Sequence, residues 1–261
     1  LQAGHKVPAL AHLTCVSSSR DRIHQELEHL KAAGIENILF MTGDYQVSGW
    51  DGRARPVFDL DSVHLQMLAT EMNQGLVVPG RKGPVTEKPT HFFNGGVVNP
   101  FKYLEGEVIP QYLKMEKKII GGAKFLITQL GYDARKMEEL IRYRNDRGFD
   151  TPIIGNIFLL TRGAAKLMQK GAIAGAYISP ELMATLEEEA KAEDKGKGAR
   201  IERAAQMIAI CKGLGYAGVH IGGFGINAEM FCGILDRAEE LAPQWRECYK
   251  NLLFGKKDGY Y

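Results

Sequence analysis

Two short apolar segments that end in polar residues constrain the fold of this chain most. They are residues 11–15 (AHLTC) and 41–44 (MTGD), and residues 20–34 between them have the periodicity of an amphipathic helix that ends at a glycine. A strand with a polar end, then a helix, then another such strand is typical of a parallel α/β protein. Functional side chains in such proteins follow the carboxyl ends of the strands. His12 and Asp44 are therefore predicted to lie side by side.

The same alternation of strand and helix recurs along the whole chain. Strands are predicted at 8–16, 37–42, 91–98, 124–130, 152–160 and 217–222, with a weaker one at 174–179. Helices are predicted at 20–33, 60–74, 102–121, 133–147, 162–170, 180–193, 198–213, 227–241 and 243–252. This order favours a (β/α)8 TIM-type barrel over a sandwich, with a doubly wound open sheet as the alternative.

Domain organisation follows from the same pattern. No linker suggests a second domain, so residues 1–261 are predicted to form a single (β/α) barrel domain. Six confident strands fall short of eight, and we expect the N-terminal strands of the barrel to be missing from this chain. Residues 45–57 and 75–90 are rich in Gly, Pro and charge and are predicted to be long loops after strands. Neither a GxGxxG nor a Walker nucleotide motif is present.

Composition excludes several classes of protein. The 261 residues are 25% charged with a formal net charge of +2, which argues against nucleic acid or an anionic membrane as partner. No run of about 20 apolar residues predicts a membrane span. The four cysteines lack CxxC spacing, which favours reduced thiols in a cytoplasmic protein and predicts no metal site. No functional partner is predicted for His5, His24, His29, His64 or His91.

Taken in order, the strand-end motifs resemble the methylenetetrahydrofolate reductase family, flavoproteins built on a (β/α)8 barrel. The motifs are HLTC at 12–15, TGD at 42–44, NP at 99–100, GAKFLITQ at 122–129 and NAEM at 227–230. The resemblance runs from about Pro8 to about Met230. It implies an oxidoreductase with FAD as cofactor that interconverts 5,10-methylenetetrahydrofolate and 5-methyltetrahydrofolate by hydride transfer. NAD(P)H is the electron donor usual in the family, and a protein electron donor stays open.

The resemblance also implies roles for individual residues. On the cofactor side, His12 and Thr14 would line the flavin, and Asp44 would lie at its pyrimidine edge and meet the pterin. Phe58 would lie near the adenosine part of FAD. Asn99 would replace a histidine of the family, and Lys118 would face the phosphates of FAD. On the substrate side, Gln129 would hydrogen-bond the pterin, Asn227 would take the place of a folate-binding arginine, and we place Tyr132 over the substrate. Gly43 permits the close backbone approach that a cofactor needs.

The chain departs from the family pattern at the folate side. The first two strands of the family, with its catalytic glutamate, have no counterpart here. A folate-packing phenylalanine and its glutamine neighbour are replaced around residues 155–170 by Gln169 and Ala165. These departures leave the identity of the folate substrate open, whereas they do not change the predicted fold.

Each proposed role has a structural alternative. A carboxylate at Asp44 beside a flavin would disfavour the anionic reduced form and lower the reduction potential, but the same side chain can form an Asx-turn. The amide of Gln129 can donate and accept toward a pterin, or bridge two strands. Lys118 can pair with a pyrophosphate, or belong to a solvated helix face, and His12 can be a wall residue.

Two other functions remain open from the residues alone. One is a barrel aldolase or isomerase that holds a phosphorylated substrate at the Gly-rich segment 220–225 (HIGGFG). The other is a non-catalytic barrel subunit that binds folate or a partner protein. A homo-oligomer and a complex with a partner subunit are both compatible with the sequence.

Overall fold

The computed structural model describes residues 7–45, 56–171, 173 and 175–255. The chain divides into two compact units: the first comprises Leu1–Val97 and Leu113–Leu126, and the second comprises Val98–Tyr112 and Ile127–Tyr261. The single domain over residues 1–261 stays a prediction. Most of the predicted loop 45–57, namely residues 46–55, lies outside the described residues.

Strands and helices alternate along the chain, except where several strands, and later several helices, follow one another. The strands are β1 Leu10–Thr14, β2 Asn37–Met41, β3 Val77–Gly80, β4 Gly83–Thr86, β5 Phe93–Val98, β6 Phe125–Thr128, β7 Ile153–Leu159 and β8 Gly218–Gly223. The helices are α1 Arg20–Ala32, α2 Ser62–Gln74, α3 Glu105–Ile120, α4 Ala134–Asp146, α5 Arg162–Gln169, α6 Pro180–Glu189, α7 Lys197–Leu214, α8 Ala228–Leu241 and α9 Trp245–Asn251, with a 3₁₀ turn at Ala242–Gln244.

The first unit is built on parallel strands in the order β1-β2-β5-β6. Thr14 pairs with Met41, and Asn37 pairs with Phe93. The apolar faces of α1 and α2 cover these strands, and the core contains Cys15, Ile23, Phe40, Leu65 and Met72. Burial of these side chains stabilises the unit, at roughly 1.5–3 kcal/mol for each large one. Cys15 is fully buried, as its place opposite Thr14 in the alternation predicts.

The predicted loop at residues 75–90 is wrong in part, because it contains an antiparallel hairpin. Strands β3 and β4 pair with Val77 opposite Thr86 and Gly80 opposite Gly83. Pro79 lies directly opposite Pro84, and proline in a strand normally argues against that assignment. Both strands of a two-stranded ribbon are edge strands. Each has one side on which its backbone N–H groups have no neighbouring strand, so proline is tolerated there.

The second unit contains the paired parallel strands β7 and β8. Ile154 pairs with Gly218, and Leu159 pairs with Gly223. Helix α7 packs against β7, and α4 packs against α7. Helix α7 ends at Gly215 in the left-handed conformation with φ of 83°.

The weak strand predicted at 174–179 is wrong. Residues 175–179 form no strand, because Gly175 has φ of 77° and Ser179 is the N-cap of α6, with its hydroxyl accepting from Leu182 N at 3.1 Å. The α/β class and the β-α order of a TIM-type barrel are confirmed. No helix among the described residues is long and apolar enough to cross a membrane.

Candidate functional site

The ends of β1 and β2 meet in the first unit at Thr14 and Gly43. Gly43 has φ of 89°, and a Cβ atom there would lie 2.8 Å from Val16 Cγ1 and 3.0 Å from Thr14 Cβ. Cys15 N also donates to Met41 O at 3.3 Å. The chain after β2 therefore turns tightly against the end of β1, in a conformation that favours glycine.

Polar side chains are exposed at these two strand ends. His12 and Thr14 occupy exposed positions of β1, and Asp44 follows Gly43 with its carboxylate exposed. No hydrogen bond or ion pair joins Asp44 to another of the described residues. Since residues 46–55 are not described, an Asx-turn into that segment is not tested. The predicted cofactor roles of His12, Thr14, Gly43 and Asp44 stay predictions, and the placement is compatible with all four.

Phe58 lies beside Tyr45, on the other side of the undescribed segment. Their rings meet edge to face at 5.5 Å and 79°. Phe58 has a positive φ of 45°, which costs a bulky residue about 1–3 kcal/mol. Val57 N holds this turn by donating to Val16 O at 2.7 Å. Tyr45 was not predicted, although an aromatic residue directly after the TGD motif is a signal that a sequence search can use.

The next residue along, Asp59, anchors the same turn to α1. Its carboxylate accepts from the Arg20 guanidinium at 2.8 Å and from Arg20 N at 2.8 Å. These hydrogen bonds lower the pKa of Asp59 to about 2. Because the group is solvent-exposed, the pair contributes little to stability and mainly positions the chain that leads to Phe58.

Lys118 is buried, so its interpretation as part of a solvated helix face is wrong. The side chain packs over Gly96, where a Cβ atom would lie 3.1 Å from Lys118 Cδ, and Nζ donates to Val97 O at 2.6 Å. Burial and the nearby Lys114 lower the pKa of Lys118 to about 8. This helix face is buried because it packs against β5. The predicted contact with cofactor phosphates stays a prediction.

Lys114, one turn before Lys118, belongs to a polar cluster that the sequence did not predict. Its Nζ lies 3.3 Å from Asp61 Oδ2 and 3.5 Å from Thr42 Oγ1. Asp61 is the N-cap of α2 and accepts from Val63 N at 2.9 Å. Thr42 Oγ1 donates to the buried Ser62 hydroxyl at 3.1 Å. The i,i+4 spacing of the two lysines is the signal that could have found it.

In the second unit, two amides meet at Gly175. A Cβ atom on Gly175 would lie 3.1 Å from Asn99 Nδ2 and 3.4 Å from Gln129 Nε2. Asn99 is buried, donates through Nδ2 to Gly175 O at 2.9 Å and accepts at Oδ1 from Phe101 N at 3.0 Å. Asn99 therefore ties loops together in this structure, and its cofactor role stays a prediction.

Gln129 follows β6 and is half-buried. Its N donates to Val98 O at 2.8 Å, and its Oε1 accepts from Leu130 N at 2.9 Å. The side-chain amide is thus fixed by its own backbone and directed toward Gly175. Oε1 therefore already has one partner, and the predicted substrate role of Gln129 stays a prediction.

The remaining predicted substrate residues have structural partners. The hydroxyl of buried Tyr132 donates to Phe158 O at 3.1 Å, and burial raises the pKa of Tyr132. Asn227 is the N-cap of α8 and accepts from Met230 N at 2.8 Å. Ala165 is fully buried in α5, whereas Gln169 at its end is exposed. The substrate roles of Tyr132 and Asn227 stay predictions.

An aromatic pocket lies beside Tyr132 in the second unit. Its lining includes Phe101, Tyr103 and Tyr177, and the rings of Tyr103 and Tyr177 lie 5.1 Å apart. Phe101 and Tyr103 follow β5, and Tyr177 precedes α6, so this aromatic surface lies on loops. Except for Tyr132, sequence reasoning missed them, and aromatic residues after a predicted strand were the available signal.

Buried charges border the same pocket. Lys136 Nζ lies 2.7 Å from Glu139 Oε2, and Tyr112 donates its hydroxyl to Glu139 Oε1 at 2.6 Å. Asp133 Oδ1 accepts from Arg135 N at 3.1 Å, whereas Oδ2 has no hydrogen-bond partner in the described part of the chain. Burial raises the pKa of Asp133. The second unit therefore combines flat aromatic surface with buried polar groups.

The parallel β-α order and the polar strand ends are those of an α/β barrel enzyme. A family model described as methylenetetrahydrofolate reductase matches residues 1–73 and 100–237. The chain therefore belongs to the methylenetetrahydrofolate reductase family, a family of oxidoreductases.

Individual relatives agree with this membership. The chain is 28% identical over 225 residues to methylenetetrahydrofolate reductase 2 of Schizosaccharomyces pombe, covering 80% of this chain and 32% of the relative. It is 26% identical to methylenetetrahydrofolate reductase (NADH) 1 of Arabidopsis thaliana, covering 82% of this chain and 35% of the relative. The chain thus spans about a third of the length of these relatives.

One solved structure is similar to the chain over most of its length. It is an uncharacterized protein from Clostridium thermocellum, described as binding two copies of 5-methyl-5,6,7,8-tetrahydrofolic acid. The TM-score is 0.46 at 13% sequence identity, covering 90% of this chain and 94% of that chain.

Proposed function

We propose that this chain is the flavin-binding barrel of a methylenetetrahydrofolate reductase. In this proposal the whole protein interconverts 5,10-methylenetetrahydrofolate and 5-methyltetrahydrofolate, with FAD as cofactor. The observation that carries the proposal is the family match, which includes both the strand-end motifs of residues 1–73 and the Gln129 strand within residues 100–237.

The residues at the first unit's strand ends fit a flavin. His12, Thr14 and Asp44 are exposed polar groups at adjoining strand ends, and Gly43 removes the side chain that would push this turn away from β1. FAD, when bound, supplies reversible hydride transfer. In the proposal, the Asp44 carboxylate raises the free energy of negative charge on the neighbouring ring and so lowers its reduction potential.

The second unit supplies the groups proposed for the folate. The Gln129 amide offers one donor and one acceptor, which match the 2-amino-4-oxo edge of a pterin. Tyr132 is held by its hydrogen bond to Phe158 O at 3.1 Å, so in the proposal its ring serves as a fixed apolar wall. In the proposal, the oriented Gln129 amide selects the ring by its pattern of donors and acceptors, since each mismatched buried pair costs about 1–3 kcal/mol.

The proposed electron donor is NAD(P)H. The names of the Arabidopsis thaliana and Caenorhabditis elegans relatives carry NADH and NADPH respectively, the latter being 27% identical over 156 residues, 58% of this chain and 20% of the relative. If the electron donor is instead a protein or a partner subunit, reduction should fail with both nicotinamides and succeed with a chemical reductant.

The test is an absorbance spectrum of the full natural protein, followed by titration with FAD. We expect flavin absorption in the blue, bleaching by NAD(P)H or dithionite, and reoxidation by 5,10-methylenetetrahydrofolate. A folded protein that is colourless and does not bind FAD would overturn the proposal. That result would favour the aldolase or isomerase alternative, which needs no flavin.

A further inference from the structure

Three side chains with metal-binding groups converge in the first unit, apart from the residues proposed for the flavin. His24 and Glu28 project from α1, and Glu87 follows β4. One ligand atom from each residue lies within 4.8 Å of the other two, and all three side chains are half-buried. His24 Nε2 and Glu87 Oε2 are 2.9 Å apart.

The local fold holds these residues in place. The i,i+4 spacing puts His24 and Glu28 on one face of α1. The β3–β4 hairpin returns the chain to α1, and Glu87 N closes it by donating to Leu76 O at 2.8 Å. Lys31 Nζ donates to Lys88 O at 3.2 Å, so the segment carrying Glu87 is tied to the helix by a second contact.

We propose that His24, Glu28 and Glu87 bind a divalent first-row transition metal ion, with Zn²⁺ as the occupant. One imidazole nitrogen and two carboxylate oxygens are a ligand set for zinc, at bond lengths of roughly 2.0–2.2 Å. Tetrahedral geometry then requires ligand atoms about 3.3 Å apart, compared with present separations of up to 4.8 Å. Water completes the fourth position. The imidazole disfavours Mg²⁺ and Ca²⁺, which take oxygen ligands.

The charges of the site suit a dication. Two carboxylates balance Zn²⁺, and a neutral His24 adds no charge. Without metal, His24 Nε2 is hydrogen-bonded to Glu87 Oε2 at 2.9 Å, and Lys31 Nζ forms an ion pair with Glu28 Oε1 at 3.2 Å. Metal binding exchanges the Lys31 contact of Glu28 for the ion, while Lys31 keeps its contact with Lys88 O. The bound ion would join the β3–β4 hairpin to α1 and stabilise the first unit.

The experiment measures metal binding directly. The protein is stripped with a chelator and titrated with Zn²⁺ against a chromophoric zinc indicator, and in parallel with Co²⁺ followed by visible absorption. We expect one equivalent of metal, tetrahedral Co²⁺ bands without a thiolate charge-transfer band, and a higher melting temperature with Zn²⁺. His24→Ala and Glu87→Gln should each lower the affinity at least about tenfold, since loss of even a hydrogen-bonded partner of a ligand costs 10–100-fold.

His29→Ala is the matched control, because His29 is an exposed histidine on the same helix. Its affinity for Zn²⁺ should equal that of the wild type. If His24→Ala does not fold, Glu87→Gln decides the question, because it keeps the shape of the side chain. The proposal is overturned by a folded wild type that binds no equivalent of metal, by thiolate bands with Co²⁺, or by binding that both site variants leave unchanged.

Discussion

Gly43 lies so close to Thr14 that a Cβ atom on the glycine would be 3.0 Å from the Cβ atom of Thr14. The φ of 89° at Gly43 lies in a region that residues with side chains rarely adopt. The turn after β2 thus depends on glycine for two independent reasons, backbone conformation and space. It is also the turn that presents Asp44.

Gly43→Ala should destabilise the protein by about 2 kcal/mol or more, because strain at a positive φ adds to the contact with Thr14 and Val16. It should also weaken FAD binding, because Asp44 moves with the turn. Urea unfolding and FAD titration measure the two effects. Gly34→Ala is the control: Gly34 has φ of 69° but nothing within 4 Å of its Cβ position, so it should show only the conformational cost. Equal behaviour of the two variants would contradict the prediction.

Lys118→Met should change how stability depends on pH. Burial lowers the pKa of Lys118 to about 8 from its ordinary value of 10.5, so the unfolded chain binds more protons between these values. The penalty for the charged form is fully present below about pH 8 and disappears as the pH rises through about 10.5. The wild type should therefore gain stability relative to Lys118→Met over this interval, by up to about 3 kcal/mol.

Denaturant unfolding between pH 7 and pH 10.5 gives this difference, with exposed Lys117→Met as the control.

Lys118→Met also tests the proposed phosphate contact. If Lys118 faces the phosphates of FAD, the affinity for FAD should fall while that for riboflavin, which has no phosphate, stays the same. Equal losses for both ligands would assign Lys118 to the core of the first unit alone.

Sequence patterns predicted those parts of the structure that local periodicity determines. The strand ending at Thr14 and the helix from Arg20 were found within a few residues, because apolar spacing and the glycine at the helix end mark them. The β3–β4 hairpin was missed because Pro79 and Pro84 argue against strands, and only their mutual pairing in an edge ribbon permits them.

At the candidate sites, long-range contacts determine what could not be predicted from the sequence. Whether Lys118 is solvated or buried depends on which face of α3 meets β5, and the run of charged residues around it gave no such information. The partner of His24 depends on the missed hairpin, because Glu87 is 63 residues away. By contrast, the requirement for glycine at Gly43 follows from its position at a strand end, which is local.

Gln129→Ala should weaken folate binding more than FAD binding. An unpaired pterin hydrogen-bonding group costs roughly 1–3 kcal/mol, or about 5- to 150-fold in affinity. Titration of the oxidised holoenzyme with folate, compared with FAD titration of the apoprotein, separates the two ligands. Gln206→Ala is a control, because its amide contacts Glu202 on α7 at 3.2 Å. Lower thermal stability with unchanged folate affinity would make the Gln129 amide structural.

Asp44→Asn should raise the reduction potential of the bound flavin. The exposed carboxylate at position 44 is proposed to repel the anionic reduced ring, and the asparagine keeps its size while removing the charge. For a two-electron couple, about 30 mV corresponds to about 1.4 kcal/mol, which is a reasonable scale for one charge partly screened by water. Reduction by the electron donor should stay easy, whereas transfer to the folate should become slower because the driving force falls.

Spectroelectrochemistry measures the potential of Asp44→Asn, and single-turnover reoxidation by 5,10-methylenetetrahydrofolate measures the transfer. Asp21→Asn is the matched control, because Asp21 is an exposed carboxylate in the first turn of α1 and should leave both quantities unchanged. A raised potential with slower reoxidation in Asp44→Asn alone supports a charge effect at the flavin. If the potential and the reoxidation rate both equal those of the wild type, Asp44 lies away from the flavin ring. The proposal that this strand end binds the flavin would then lose its electrostatic argument.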